Sequence, residues 1–169
     1  MHRHAEVLIS SDEDVVGQVR EAMAPYYEGN EPEGGFWDWY QIGGRWMGAH
    51  TPGYDPYEDP QHMVTCRWCG GTGKRPDVEP ADPEMGCNVC HGNGVELLSA
   101  TQWDPHPRDD SRDVTPVSEI PDDLTCITLI LLDGALQEDG LKEFGGNVKK
   151  MLEAKGITEG FLVTVDYHS

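Results

Sequence analysis

Cys66, Cys69, Cys87 and Cys90 form two C-x2-C pairs separated by 17 residues. Each pair presents two sulfurs from one tight turn, and four thiolates at this spacing suit tetrahedral zinc, which takes soft ligands at about 2.3 Å. A thioredoxin-like dithiol would need a single C-x2-C opening a helix beside a strand, whereas both pairs sit in glycine-rich sequence. Iron–sulfur ligation is the alternative that four cysteines leave open. Because four sulfurs fill the coordination sphere and admit no water, the expectation is one structural Zn2+ that performs no chemistry. Such an ion contributes roughly 10–16 kcal/mol to folding, so the segment should fold only with its metal. His62 and His91 lie close enough to be considered as ligands, but beside four cysteines at good spacing each reads rather as a surface neighbour.

Two further stretches carry residues that can bind or react. In "FWDWYQIGGRW" (Phe36–Trp46) five aromatics fall within eleven residues. Read as a strand, it places Trp37 and Trp39 on one face and Phe36, Asp38 and Tyr40 on the other. The structural reading makes one face core. The functional one makes Arg45, beside Gly44 and Trp46, an anchor for a carboxylate or phosphate, with Trp37, Trp39 and Trp46 as a stacking wall. Near the end of the chain, Asp166 and His168 alternate on a strand and share a face, a pair suited to metal binding or to orienting an imidazole, or simply solvated. No nucleophile stands with a base in sequence, so no catalytic residue is assigned and the chain is read as not an enzyme. Met1 to His4 form a polar start with no clear chemistry, and Cys126, in an apolar run, reads as a small core residue.

Local patterns supply the elements that must position these groups. Ala5–Ser10 reads as a strand. Ser11–Met23 reads as a helix, with Ser11 as its cap, Asp14 near the capping-box position, and Pro25 ending it. The aromatic stretch gives a second strand turning at Gly43-Gly44. "LTCITLILL" (Leu124–Leu132) is apolar on both faces, as in a central strand, and Asp133-Gly134 offers a hairpin turn. A helix capped by Asn147 ends at Gly156, and "GFLVTVDYH" closes the chain as a strand. This order resembles two β-α-β halves and predicts an α+β fold, a ferredoxin-like sandwich with an inserted zinc finger. The expected scaffold is residues 1–48 and 120–169, the finger 63–98, and the linkers 49–62 and 99–119.

Charge restricts the partners. Twelve Lys and Arg face 31 Asp and Glu, a formal net charge of −19. No basic cluster is present to displace counterions from a polyanion, so direct nucleic-acid binding and adsorption to anionic membranes are excluded as expectations. The residues before Met63 carry −9, Met63–Leu98 only −2 and the remainder −8, so the field belongs to the scaffold. No apolar run approaches the ~20 residues of a membrane span or a secretory leader, and paired free thiols suit a reducing compartment. The expected location is the cytoplasm.

Both pairs extend to CxxCxGxG, as "CRWCGGTG" and "CNVCHGNG". This segment resembles the cysteine-rich region of DnaJ-type chaperones, which carries four such repeats and two zinc ions; two repeats here imply one ion. No His-Pro-Asp signature or Gly/Phe linker accompanies it. The resemblance therefore implies only a zinc-pinned pair of β-hairpins used to touch polypeptide. The combination of "WDWYQIGGRW", the repeats and a terminal "VDYH" is similar to a family of uncharacterised proteins of actinobacteria and their phages. That likeness implies a phage or bacterial modulator acting in the host cytoplasm. The expected function is a non-enzymatic, zinc-stabilised module binding a protein, and the field suits a basic or nucleic-acid-binding partner. The alternatives are an acidic nucleic-acid mimic inhibiting a host enzyme, and an enzyme using Arg45, Asp166 and His168.

Overall fold

β1 (His2–Ile9) is buried at every position from His4 to Ile9, so both faces of its sheet must be covered. In a computed structural model that describes residues 1–30, 32, 34–55, 58–60, 63–77, 85–97 and 113–169, β1 lies between two neighbours. One is β7 (Phe161–His168), antiparallel from His2↔His168 to Ile9↔Phe161; the other is β6 (Thr128–Ile130), parallel from Ala5↔Thr128. β2 (Trp39–Ile42) and β5 (Val114–Pro116) both pair antiparallel with β7. The chain divides into two compact units, one from Met1–Tyr54 with Ala100–Ser169 and one from Asp55–Ser99.

Register sorts the side chains of the first unit into two cores. Ala5, Val7 and Ile9, with Val163, Val165, Tyr167, Ile42 and Ile130, cluster with Val19 and Met23 of α1 (Val15–Met23). Leu8, Leu129, Leu131 and Leu162 cluster instead with Leu141 of α2 (Asp139–Glu143) and Val148, Met151 and Leu152 of α3 (Val148–Ala154). Each fully buried aliphatic side chain contributes roughly 1.5–3 kcal/mol, and β1 collects this on both faces.

The helices begin where capping allows. α1 starts after Asp14, whose carboxylate accepts from the Gly17 N–H at 3.3 Å, and not after Ser11. Asn147 caps α3 by accepting from the Lys150 N–H, and Gly156 ends it at φ +68°. Of the apolar Leu124–Leu132 run only Thr128–Ile130 is regular strand. Gly134 turns the chain back, so that Leu136 bridges to Ile130.

The fold is mixed helix and strand, and it differs from the ferredoxin-like expectation in two respects. The strand order is β2-β7-β1-β6, which puts the second strand beside the last one, and the helices are shared between both faces of the sheet. On β6, the returning Leu136 bridges to Ile130. β5 also falls within the expected linker 99–119, and buried His50 within the expected linker 49–62; residues 98–112 lie outside the described residues. Among the described residues no helix is long and apolar enough to cross a membrane.

The second unit contains β3 (Met63–Thr65) paired antiparallel with β4 (Val95–Leu97), and its buried cluster consists of the four cysteines. A unit this small buries too little apolar surface to fold on hydrophobicity alone, so sulfur must supply the centre.

Candidate metal centre and a buried histidine and carboxylate row

The two cysteine repeats fold as near copies. In the first, Gly70, Gly71 and Gly73 take φ of +60°, +88° and +70°; in the second, His91, Gly92 and Gly94 take +51°, +86° and +74°. Two of these positions require glycine for a reason besides φ. A Cβ on Gly73 would lie 2.3 Å from the Gly92 carbonyl oxygen, and one on Gly94 would lie 2.4 Å from that of Gly71. The repeats are also tied reciprocally, the Cys87 N–H donating to Gly73 O and the Cys66 N–H to Gly94 O. The CxGxG half of each motif is thus explained by backbone approach between the two knuckles.

The approach brings all four sulfurs within 4.8 Å of one another, with Cys66 Sγ 3.9 Å from Cys87 Sγ and Cys69 Sγ 3.7 Å from Cys90 Sγ. Edges of a tetrahedron with 2.3 Å metal–sulfur bonds measure about 3.8 Å, so the donor set fits a metal ion of that kind. Backbone N–H groups of Gly73 and Gly94 donate to Cys69 Sγ and Cys90 Sγ at 3.3 and 3.2 Å, again at matching positions. Burial opposes ionisation of Cys69, but the Gly73 N–H and the neighbouring thiol donors outweigh it and bring its thiol down to about 6. His91 is exposed and outside the cluster; His62 lies outside the described residues.

In the first unit the register assembles a polar row that no single stretch of sequence announces. His2, His4 and Glu6 alternate along β1 opposite His168, Asp166 and Thr164 of β7, so all six share one face. Glu6 is completely buried. Its Oε1 accepts from His4 Nε2 at 2.7 Å and from Thr164 Oγ1 at 2.9 Å, and its Oε2 lies 2.9 Å from His50 Nε2. Burial alone would raise the Glu6 carboxyl; the charge of His50 and hydrogen bonds from both imidazoles overturn that and hold it down at about 2. For His50, burial disfavours the charged form, yet Glu6 and Asp113 raise its pKa. Asp113 is itself buried and accepts from the backbone N–H groups of Gly48 and His50 at 2.5 and 3.2 Å. Burial raises the Asp113 carboxyl.

The aromatic and glycine motif crosses this row. Asp166 accepts from His2 Nδ1 at 2.9 Å and from the Arg45 backbone N–H at 3.1 Å, while His168 Nδ1 meets Asp38 Oδ1 at 2.8 Å. Asp166 and His168 share a face, as alternation predicts, but each takes a different partner. Arg45 is held by its backbone and its side chain is exposed. Gly44, at φ +58°, allows the approach, since a Cβ there would sit 2.4 Å from Asp166 Cβ. Trp46 stacks on His4 with ring centroids 5.5 Å apart. Trp37 and Trp39 part company because regular strand begins only at Trp39. The Trp37 indole donates to Met23 O and its ring meets Tyr40 edge-on, whereas Trp39 lies edge-on to His2.

Sequence reasoning missed His4, Glu6, His50, Asp113 and Thr164. The alternation His2-His4-Glu6 was the one visible signal, and it acquires meaning only when β7 lies alongside. Cys126 is buried in the core with its thiol on Thr128 O. Comparison with family models, with curated proteins and with solved structures finds no match to this chain.

Proposed function

We propose that the protein is a non-enzymatic, zinc-stabilised module that binds another protein through the apolar tips of its two knuckles, as a phage or bacterial modulator. One observation carries the reading. Trp68 and Val89 occupy the same position in the two C-x2-C turns and are 51% and 46% exposed while every sulfur between them is buried. Met85 and Val95 of the same unit are exposed as well. An aromatic and a branched side chain held outward by a rigid metal turn are anchors of the kind that dominate protein interfaces. The likeness to the DnaJ-type region, where such hairpins touch polypeptide, supports the same use. The ion is zinc in a structural role, since four thiolates leave it no open position.

The test is capture from the native cell by the tagged, zinc-loaded chain, compared with a Trp68→Ser/Val89→Ser variant. Retained zinc with lost capture of a saturable partner supports the reading; equal capture by the variant refutes it. The net charge of −19 favours a second reading, a nucleic-acid mimic acting through the scaffold. That alternative predicts capture indifferent to Trp68 and steeply weakened by salt.

A further inference from the structure

Beside the polar row lies a cavity of about 840 Å³, lined among others by His2, Arg3, His4, Trp46, Ile127 and Lys142. Its volume is that of a small-molecule site. Two of its features are unusual for this chain. The basic residues His2, Arg3, His4 and Lys142 line it with one acidic residue, Glu138, in a protein where Asp and Glu outnumber Lys and Arg by 31 to 12. Glu138 already accepts from Thr128 Oγ1 at 3.2 Å.

The second feature is His4. It is 7% exposed and fixed between Glu6, through Nε2, and the Trp46 ring. Among the described residues nothing hydrogen-bonds its Nδ1. A carboxylate on one imidazole nitrogen sets the ring orientation and dedicates the other nitrogen to whatever occupies the site. Arg3 lies in register with Tyr167, so its side chain leaves β1 on the face opposite His4, while Lys142 pairs with exposed Asp139 at 2.9 Å. Lys142 can exchange its exposed Asp139 partner for an incoming anion, and Trp46, Ile127 and Leu141 supply an apolar wall.

We propose that this cavity binds a small molecule joining an oxyanion, phosphate or carboxylate, to an apolar ring. In the bound state His4 is held by Glu6 through Nε2 and meets the ligand through Nδ1, with Lys142 supplying positive charge. The residues that line the site all belong to the first unit.

Calorimetric titration of the zinc-loaded full chain with inorganic phosphate, phenyl phosphate and benzoate tests it. The expected result is saturable one-to-one binding of phenyl phosphate or benzoate, tighter than that of inorganic phosphate. His4→Ala should weaken it by about tenfold or more. Because His4→Ala also disturbs a buried network, Ile127→Glu is the second variant: Ile127 is 49% exposed, so the new carboxylate reaches the cavity without touching the core. It should bind about tenfold more weakly and melt as the parent does, while Lys149→Ala, whose lysine pairs with Asp122, should bind like the parent. Absence of saturable binding by all three probes, or unchanged binding by Ile127→Glu, overturns the proposal.

Discussion

Glu6 Oε2 lies 2.9 Å from His50 Nε2 with the Glu6 side chain sealed from solvent, so the interior of the scaffold contains a hydrogen-bonded charge pair. A buried carboxylate is tolerated only when its lone pairs are met, and here His4, His50 and Thr164 meet them. Removing one partner therefore differs from replacing the pair. Glu6→Ala should destabilise the scaffold by about 3–5 kcal/mol, since it leaves two buried imidazoles without their acceptor, and Glu6→Gln by less. Thermal or denaturant unfolding of the zinc-loaded chain measures the difference.

The same pair sets a pH window. The Glu6 carboxyl is depressed from 4.5 to about 2, so its contribution is present above the unfolded value and lost as pH falls through about 2. The shift is worth roughly 3 kcal/mol. His50 is raised above 6.5, so its contribution is complete below that value and lost as pH rises through its folded pKa. Asp113, raised by burial, works against Glu6 in acid. Scaffold stability should be greatest between these limits, and His50→Gln should flatten the alkaline side. Urea midpoints measured from about pH 3 to 9 would show it.

Cys66→Ser and Cys90→Ser should each release the metal and unfold the Asp55–Ser99 unit, whose buried cluster is the cysteines themselves. Metal analysis and amide NMR of the two variants provide the check. Stoichiometric zinc retained in either would contradict four-sulfur ligation.

Glycines separate by their surroundings. Gly94→Ala should cost the metal unit its closure, because a methyl there meets the Gly71 carbonyl. Gly44→Ala should lower scaffold stability by more than about 2 kcal/mol, through backbone strain plus collision with Asp166. Gly156→Ala, with φ +68° but open space around it, should cost only about 1 kcal/mol. Melting temperatures of the zinc-loaded variants rank them.

Arg45→Ala should leave stability within about 0.5 kcal/mol of the parent, since the contact to Asp166 comes from the Arg45 backbone N–H, which alanine keeps. A larger loss in unfolding experiments would show a structural role for the exposed guanidinium.

Much of this was legible in the sequence because it is local. Four cysteines at fixed spacing, with glycines at the same offset after each pair, specify two like turns wherever the chain places them. Asn147 and Gly156 bound a helix by capping chemistry that acts within one turn. The Asp166 and His168 alternation follows from strand geometry alone. The tertiary structure decided what depends on neighbours distant in sequence. β2 pairs with β7, far along the chain, while Leu136 returns to bridge Ile130 of β6. Trp37 and Trp39 take different partners, Met23 O and the His2 ring, because regular strand begins only at Trp39. Glu6 becomes a buried anion only when β7 brings Thr164 alongside and the segment after Trp46 carries His50 over it. Periodicity can say that Glu6 faces the same way as His2 and His4; only the register and the covering segment decide that Glu6 is closed to water, and closure is what makes its carboxylate depend on the groups that meet it.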